Sequence, residues 1–448
     1  MQSIEGQGYR AVERIVIAGG GLAGLACASD LAKAGLKVTL LESKGGIGGR
    51  ATSFHDPLHG DLIDHCQHVS MGCCKELAQF CLEADISHYL KSDGNLHFVT
   101  PGGEVSQFHG NPLPAPLHLA SSFLKAKFLT LREKARIGIG LGLMRLAKEG
   151  EDGLVLEWLK DHFQTERTLE RFWAPVIVSA LNTPMQRAGF HYARKVFVDS
   201  FFQSRHSYEL TLPTVPLGKL YGEEIIQWLE GAGVETLLGT AASQILFQGG
   251  QVAGVRLASG EEIPTRTVVL AVPFQRVPDL VPPEERLGDF WHWIDRLSLS
   301  PITSVHLWFD RKITGLDHAA LLDGQSQWLF YRGCNTRGEH YYQVVISASG
   351  EMLQGGNQKA LETVLRELPG WFPAVGEAGL IRSRVISEKQ ATFESTAWVD
   401  QIRPGQATPI SGLFLAGDYT QTGWPATMEG AVRSGKLAAD CVLKTRTR

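Results

Sequence analysis

Two groups of residues in this 448-residue chain have types and spacing suited to chemistry. The first is Gly19, Gly21 and Gly24 in the run GGGLAG, with Glu42 further on. Glycines at G-x-G-x-x-G spacing permit a tight bend, let backbone N–H groups approach a pyrophosphate, and allow a helix to pack closely on a strand. An acidic residue ending the next strand accepts hydrogen bonds from an adenosine ribose and disfavours a 2′-phosphate. The alternative, a glycine-rich turn without a ligand, is hard to rationalise, because glycines lose much conformational freedom on folding and bury little. The second group is Asp64, His65, Gln67 and His68, which follow the apolar pair Leu62-Ile63. Polar groups this dense after an apolar strand often line a site. A turn with surface histidines is the other reading.

The elements that must position these groups can be read around them. Ile15 to Ile17 form an apolar strand, the glycine turn opens a helix, and Val38 to Leu41 form a second strand ending at Glu42. The helix N-terminus offers partial positive charge to phosphates. Gly45 to Arg50 (GGIGGR) reads as a loop beside the same ligand, with Arg50 placed to neutralise phosphate charge. At the far end, Leu413 to Leu415 is a buried strand closed by Gly417-Asp418, and Ala426 to Asp440 is a helix rich in small residues. That is a second dipole-presenting site. Two such sites suit a ligand with polar groups at several places, as in a flavin dinucleotide. Between them the pattern predicts short strands near 234–238, 242–248, 251–258 and 268–272, with a hairpin at Gly249-Gly250. A second β-rich region spans 300–390, with a helix from Gln358 to Leu368. Trp291, Trp293, Trp308, Trp328 and Phe330 suggest an aromatic wall for a large apolar ligand.

The length points to two domains. At 44% hydrophobic and 20% charged, the chain can bury a sizeable core. A formal net charge of −4 gives no reason to expect nucleic acid as a partner. The polar N-terminus, the lack of a long apolar run and seven cysteines suggest a reducing, cytoplasmic setting without a membrane span. Cys66, Cys73, Cys74 and Cys81 lack metal-ligand spacing, so no metal is assigned. Residues 111–150 differ from the rest. After NPLPAPL, Lys125, Lys127, Arg132, Lys134, Arg136, Arg145 and Lys148 sit among apolar residues, with Glu133 opposing them. A basic, apolar, helical stretch reads as a membrane-surface contact. A helix that packs its apolar face inward and solvates its charges is the alternative. Residues 154–182 predict a helix ending before Pro184.

Taken together, these residues resemble the flavin-containing amine oxidase and phytoene desaturase superfamily over nearly the whole chain. The resemblance implies an α/β fold: a two-domain FAD-dependent oxidoreductase with a discontinuous Rossmann-like FAD domain (14–85, 216–280 and 405–448). A mixed-sheet plus helical substrate domain would take 86–215 and 281–404, with its membrane-facing part near 112–150. FAD is the implied cofactor. Its implied contacts are Gly19, Gly21, Leu22, Ala23, Gly24, Glu42, Ser43, Gly48, Gly49 and Arg50, then Ala242 in GTAASQI, Gly417 and Asp418 in LAGDYT, and Trp424, Thr427, Met428 and Ala431 in GWPATMEGAVRSG. The last segment resembles a helix whose N-terminus stabilises negative charge on a reduced flavin.

A narrower resemblance is to the hydroxysqualene dehydroxylases of bacterial hopanoid synthesis. It rests on SALNTP, LPTVPLGKL, CQHVSMGC, NPLPAPLHL and GWPATMEGAVRSG. That family usually reads D-N-G-Q-H where this chain has Asp64-His65-Cys66-Gln67-His68. It implies reductive removal of an allylic hydroxyl from a long isoprenoid, with hydride delivered to the resulting cation and water excluded. It also implies peripheral contact with the inner face of the cytoplasmic membrane; the electron donor stays unnamed. His68 and Asp64 become the candidates for protonating the departing hydroxyl, since a histidine near neutral pKa serves as a general acid; both being structural is the other reading. A polyprenoid desaturase is the alternative function, and a redox-inactive prenyl-lipid carrier is another. Amine oxidases usually carry an aromatic cage residue just before M-E-G-A, where this chain has Thr427, so an amine substrate is disfavoured.

Overall fold

The glycine turn and its strand belong to a five-stranded parallel sheet in the computed structural model, which describes residues 14–148 and 150–446. Its strands are β1 (Ile15–Ala18), β2 (Val38–Leu41), β3 (Glu235–Leu237), β4 (Thr267–Leu270) and β5 (Leu413–Leu415), in the spatial order β3-β2-β1-β4-β5. Every neighbouring pair is parallel. β1, β2, β4 and β5 are buried along their length, which explains their unbroken apolar runs. Helix α1 (Leu22–Lys33) follows β1, and α2 (Lys75–Glu83) lies further along the chain. A three-stranded antiparallel sheet, Ala242–Gln248, Gln251–Leu257 and Glu262–Pro264, leads into β4.

The second region is built on a seven-stranded mixed sheet. Its spatial order is Leu380–Phe393, Leu299–Phe309, His340–Ser347, Trp328–Cys334, His318–Leu321, Leu96–Thr100 and Glu104–Phe108. The helix Gly356–Trp371 covers one face through Ala360, Val364 and Leu368. Helices α3 (Leu131–Leu146) and α4 (Phe190–Phe201) join the apolar core that also holds Trp173, Ile177 and Trp293.

Two sequence expectations change here. The single helix expected over 154–182 is broken. Phe163 adopts a left-handed backbone (φ 65°), and Thr165 caps the next turn. The break lets buried Gln164 donate to the Arg136 and His162 carbonyls while accepting the Trp173 indole N–H. Downstream, Asn182 ends the last helical piece in the left-handed region, and its amide joins the Ser300 carbonyl, Thr392 and the Ala348 N–H. The aromatic wall also divides. Trp308 stacks on Tyr341 at 4.6 Å beneath the Arg382 guanidinium, in a polar layer, whereas Trp328 and Phe330 stack with buried His318.

Candidate cofactor and substrate site

Four loops from distant parts of the chain meet at the C-terminal edge of the parallel sheet. Gly19 has φ +117°, and a Cβ there would lie 2.4 Å from the Ala271 carbonyl oxygen. A Cβ on Gly24 would lie 2.0 Å from the Gly19 oxygen. Only glycine fits either place. A Cβ on Gly21, by contrast, meets nothing closer than the Gly49 Cα at 3.9 Å. The turn is therefore shut against its own protein and open where a ligand backbone would pass. Leu22 and Ala23 start α1 behind that opening. The second glycine loop docks on the first: Gly48 N–H donates to the Gly20 carbonyl at 2.8 Å, and Gly49 lies against Gly21.

Glu42 is buried at the end of β2. It accepts the Gly20 N–H at 2.9 Å, the Lys44 N–H at 2.8 Å and the Ser43 hydroxyl at 3.1 Å. Carboxylate oxygens have further lone pairs, so hydroxyls of a ligand can still be received. Next to it, Gly239 and Thr240 donate to the Lys44 and Glu42 carbonyls, which brings Ala242 to the same corner.

The two ends of the chain join at Arg50, which donates to the Asp418 carboxylate at 2.7 Å and to the Ala391 carbonyl at 2.5 Å. A cleft beside this pair is lined by Pro273, Phe274, Gln390, Thr392 and Phe393. Helix α5 (Met428–Arg446) begins at the same place. Thr427 caps it by accepting the Gly430 N–H at 3.1 Å, and Ala431 N–H donates to the Thr427 carbonyl. Gly417 lies under the Tyr419 ring, 2.3 Å from where its Cβ would be, and donates to Ser434 in α5. These features fit FAD: a glycine turn open on one side, an acid at its rim, and an arginine and an aspartate meeting from opposite ends.

Residues 22–443 match the family described as flavin containing amine oxidoreductase. The chain belongs to that family. Among curated relatives, it is 27% identical to the 15-cis-phytoene desaturase of Synechococcus elongatus over 96% of each chain. It is 26% identical to the probable zeta-carotene desaturase of the same organism, over 97% of this chain and 99% of that one. A solved oxidoreductase from Methanosarcina mazei shares the fold, with a TM-score of 0.74 and 17% identity, over 96% of this chain and all of that one. As a flavin-containing amine oxidoreductase family member, the protein is an FAD oxidoreductase.

In this family member the segment 64–68 packs between the cofactor sheet and the large sheet. Asp64, one of the two candidate proton donors, has three partners around its carboxylate. Its buried carboxylate accepts the Ser53 hydroxyl at 2.6 Å, the Leu217 N–H at 2.9 Å and the Arg332 guanidinium at 2.8 Å. Arg332 also donates to Gln67 at 2.6 Å. His68 is half-buried, with Nδ1 3.1 Å from the Cys66 carbonyl. That bond assigns the hydrogen to Nδ1 and leaves Nε2 with its lone pair. Burial lowers its pKa, and nearby Arg50 and His65 add to this against the Cys66 carbonyl and Asp64. Burial pushes the Cys66 thiol up to about 12, so it stays neutral. Buried His306, whose Nδ1 meets the Tyr341 hydroxyl at 2.6 Å, is held down to about 3 by burial and by Arg332.

Sequence reasoning missed Arg403, Arg332 and the packing partner of Gly435. Arg332 carries no local signal, since its partners lie far off in sequence, and Arg403 has only Asp400 close by, the remaining hydrogen-bond partners of its guanidinium being at least 15 positions away. Gly435 lies within a small-residue stripe that was visible. Trp424 lies beneath the Lys195 ammonium at 4.5 Å, and its carbonyl accepts Arg403.

Proposed function

We propose that this FAD oxidoreductase acts on a long polyprenoid hydrocarbon and introduces a double bond. The observation that carries this is the alignment with carotenoid desaturases along 96–97% of the chain. Desaturation removes a hydride from one carbon and a proton from its neighbour. Bound FAD supplies the two-electron hydride acceptor. On the protein side a group must take the proton, and His68, neutral and with Nε2 open, is suited to accept one. A histidine with a lowered pKa is poorly populated as an acid at neutral pH. Thr427, committed to capping α5, presents no aromatic ring for an amine.

The second reading is reductive dehydroxylation of hydroxysqualene, favoured by the segments Ser179–Pro184 and Leu212–Leu220 that resemble that family. It runs electrons the other way and asks for a proton donor. Anaerobic incubation of the FAD protein separates the two. Phytoene or squalene with an added quinone should yield a product two hydrogens lighter by mass spectrometry. If reduced enzyme instead converts hydroxysqualene to squalene and no hydrocarbon is dehydrogenated, the second reading replaces the first. If neither substrate changes, both fall.

The substrate's insolubility fits a peripheral membrane contact. No helix among the described residues is long and apolar enough to cross a membrane. The solvent face of α3 carries Leu131 (75% exposed), Ile139 and Leu146 (81% exposed) beside Arg132, Arg136 and Arg145. Leu117, Leu124 and Lys125 extend it. Glu133 is withdrawn into the Thr130 cap and an ion pair with Arg167. Two expected members leave the patch: Lys134 is buried against the Leu124 carbonyl, and Lys127 pairs with Glu104. An apolar ridge flanked by exposed cations suits an anionic lipid surface. Flotation with phosphatidylglycerol vesicles should show binding that Lys125→Glu/Arg132→Glu weakens about tenfold. Equal flotation of the two proteins would remove the membrane contact.

A further inference from the structure

The Arg403 side chain is completely buried. A charge taken out of water is costly unless its donors are all met. Here they are met mainly by one loop. Nε donates to the Tyr419 carbonyl at 3.2 Å. Nη2 donates to the carbonyls of Asp418, at 2.9 Å, and Thr420. Nη1 donates to the Trp424 carbonyl at 2.8 Å, to the Asp400 carboxylate at 2.9 Å and to the Tyr192 hydroxyl. Four carbonyls of a seven-residue loop, 418–424, thus converge on a single guanidinium. Peptide units are planar, so the Tyr419 N–H points away from Arg403 when the Asp418 carbonyl points toward it. Asp418 itself is gripped twice: its backbone by Arg403 and its carboxylate by Arg50.

The same guanidinium reaches the other region of the protein. Tyr192 is a buried residue of α4, a helix of the apolar core beneath the large sheet. Its hydroxyl accepts from Arg403 and donates to Asp400. Burial pushes the Tyr192 hydroxyl well up, which keeps it a donor. Asp400 therefore sits between a tyrosine of the helical layer and the arginine that holds the loop 418–424.

We propose that Arg403 is a positioning residue that shapes the loop Asp418–Trp424 for FAD, and that Tyr192 and Asp400 key this loop to α4. Lysine keeps the charge but presents its donors from one point, and it cannot span four carbonyls.

Titrating apoprotein with FAD and following flavin fluorescence tests the first half. R403K should weaken FAD binding at least about tenfold and shift the visible flavin band, as expected when charge-assisted bonds are lost. An unchanged affinity and spectrum would overturn the positioning role. Y192F removes one hydroxyl and leaves the four carbonyl bonds, so it tests the second half and stays informative if R403K does not fold. In the unaltered protein, FAD should slow amide hydrogen exchange both in 417–424 and in α4. Y192F should keep the loop's protection and lose that of the helix. Protection of α4 that persists in Y192F would refute the key. None of these readouts depends on the identity of the hydrocarbon substrate.

Discussion

His68 and Asp64 are four positions apart, and their environments differ. Three partners occupy the Asp64 carboxylate, while His68 has one ring nitrogen bonded and the other without a hydrogen-bond partner among the described residues. His68→Ala should therefore lower turnover about 10²- to 10⁴-fold while FAD stays bound. The pH profile gives the direction of proton flow. The His68 pKa is held below its ordinary value of 6.5. If the imidazole accepts a proton, the rate climbs as pH rises through that lowered pKa and then levels off; if it donates one, the rate falls over the same interval. A flat profile that His68→Ala does not alter would take His68 out of the chemistry. Nothing near position 64 in the sequence distinguishes the two residues, because Ser53, Leu217 and Arg332 reach Asp64 only once the chain is folded.

Helices α1 and α5 show what sequence pattern can and cannot carry at the scale of an element. Gly19, Gly21, Gly24 and Glu42 announce a strand, a turn and a helix locally, so the first cofactor loop is legible from spacing alone. The stripe Gly430, Ala431, Ser434, Gly435, Ala438 and Ala439 was legible as a small face, but its partner was not. The fold shows that partner to be α1: a Cβ on Gly435 would lie 2.1 Å from the Ala23 carbonyl oxygen and 3.0 Å from the Ala26 Cβ. The two helices that begin at the cofactor site are packed backbone to backbone. The break at Phe163 was illegible for the reverse reason, since Gln164 is demanded by Trp173 and α3 and not by its neighbours in the chain. Gly435→Val should force α5 off α1, costing about 1–3 kcal/mol or more as overpacking does. Thermal melting and FAD content report it, and both should fall together because the shift starts under the glycine turn. A melting temperature equal to the parent's would show that the helices can separate freely.

At the scale of the whole molecule, the hairpin that follows the second glycine loop is fastened to the large sheet by charge. The strands Ser53–His55 and Leu62–Asp64 form an antiparallel hairpin carrying Asp56, Asp61 and Asp64. Each faces an arginine of the large sheet: Asp56 meets Arg384 at 3.7 Å, Asp61 meets Arg337 at 2.6 Å and also Arg382, and Asp64 meets Arg332 at 2.8 Å. Glu339 completes the clasp, bonded to Arg382 at 2.7 Å and to Asn335 at 2.6 Å. Burial alone would raise the Glu339 pKa, but hydrogen bonds from Arg382, Asn335 and Arg337 pull it from 4.5 down to about 2. Asp56 is lowered as well, with His59, the Leu58 N–H and Arg384 outweighing burial. A depressed carboxylate pKa means that the folded state holds fewer protons than the unfolded chain between the two values. Its contribution to stability is complete above pH 4.5 and is lost as pH falls toward about 2. Acid unfolding followed by far-ultraviolet circular dichroism should show stability dropping through that window. Glu339→Gln cannot titrate, so its stability should fall less steeply there, from a start about 1–3 kcal/mol lower at pH 7 because Arg382 loses its ionised partner. An identical acid slope in both proteins would mean that the clasp is already open in solution, and that the segment carrying Asp64 and His68 is held in place by something other than these arginines.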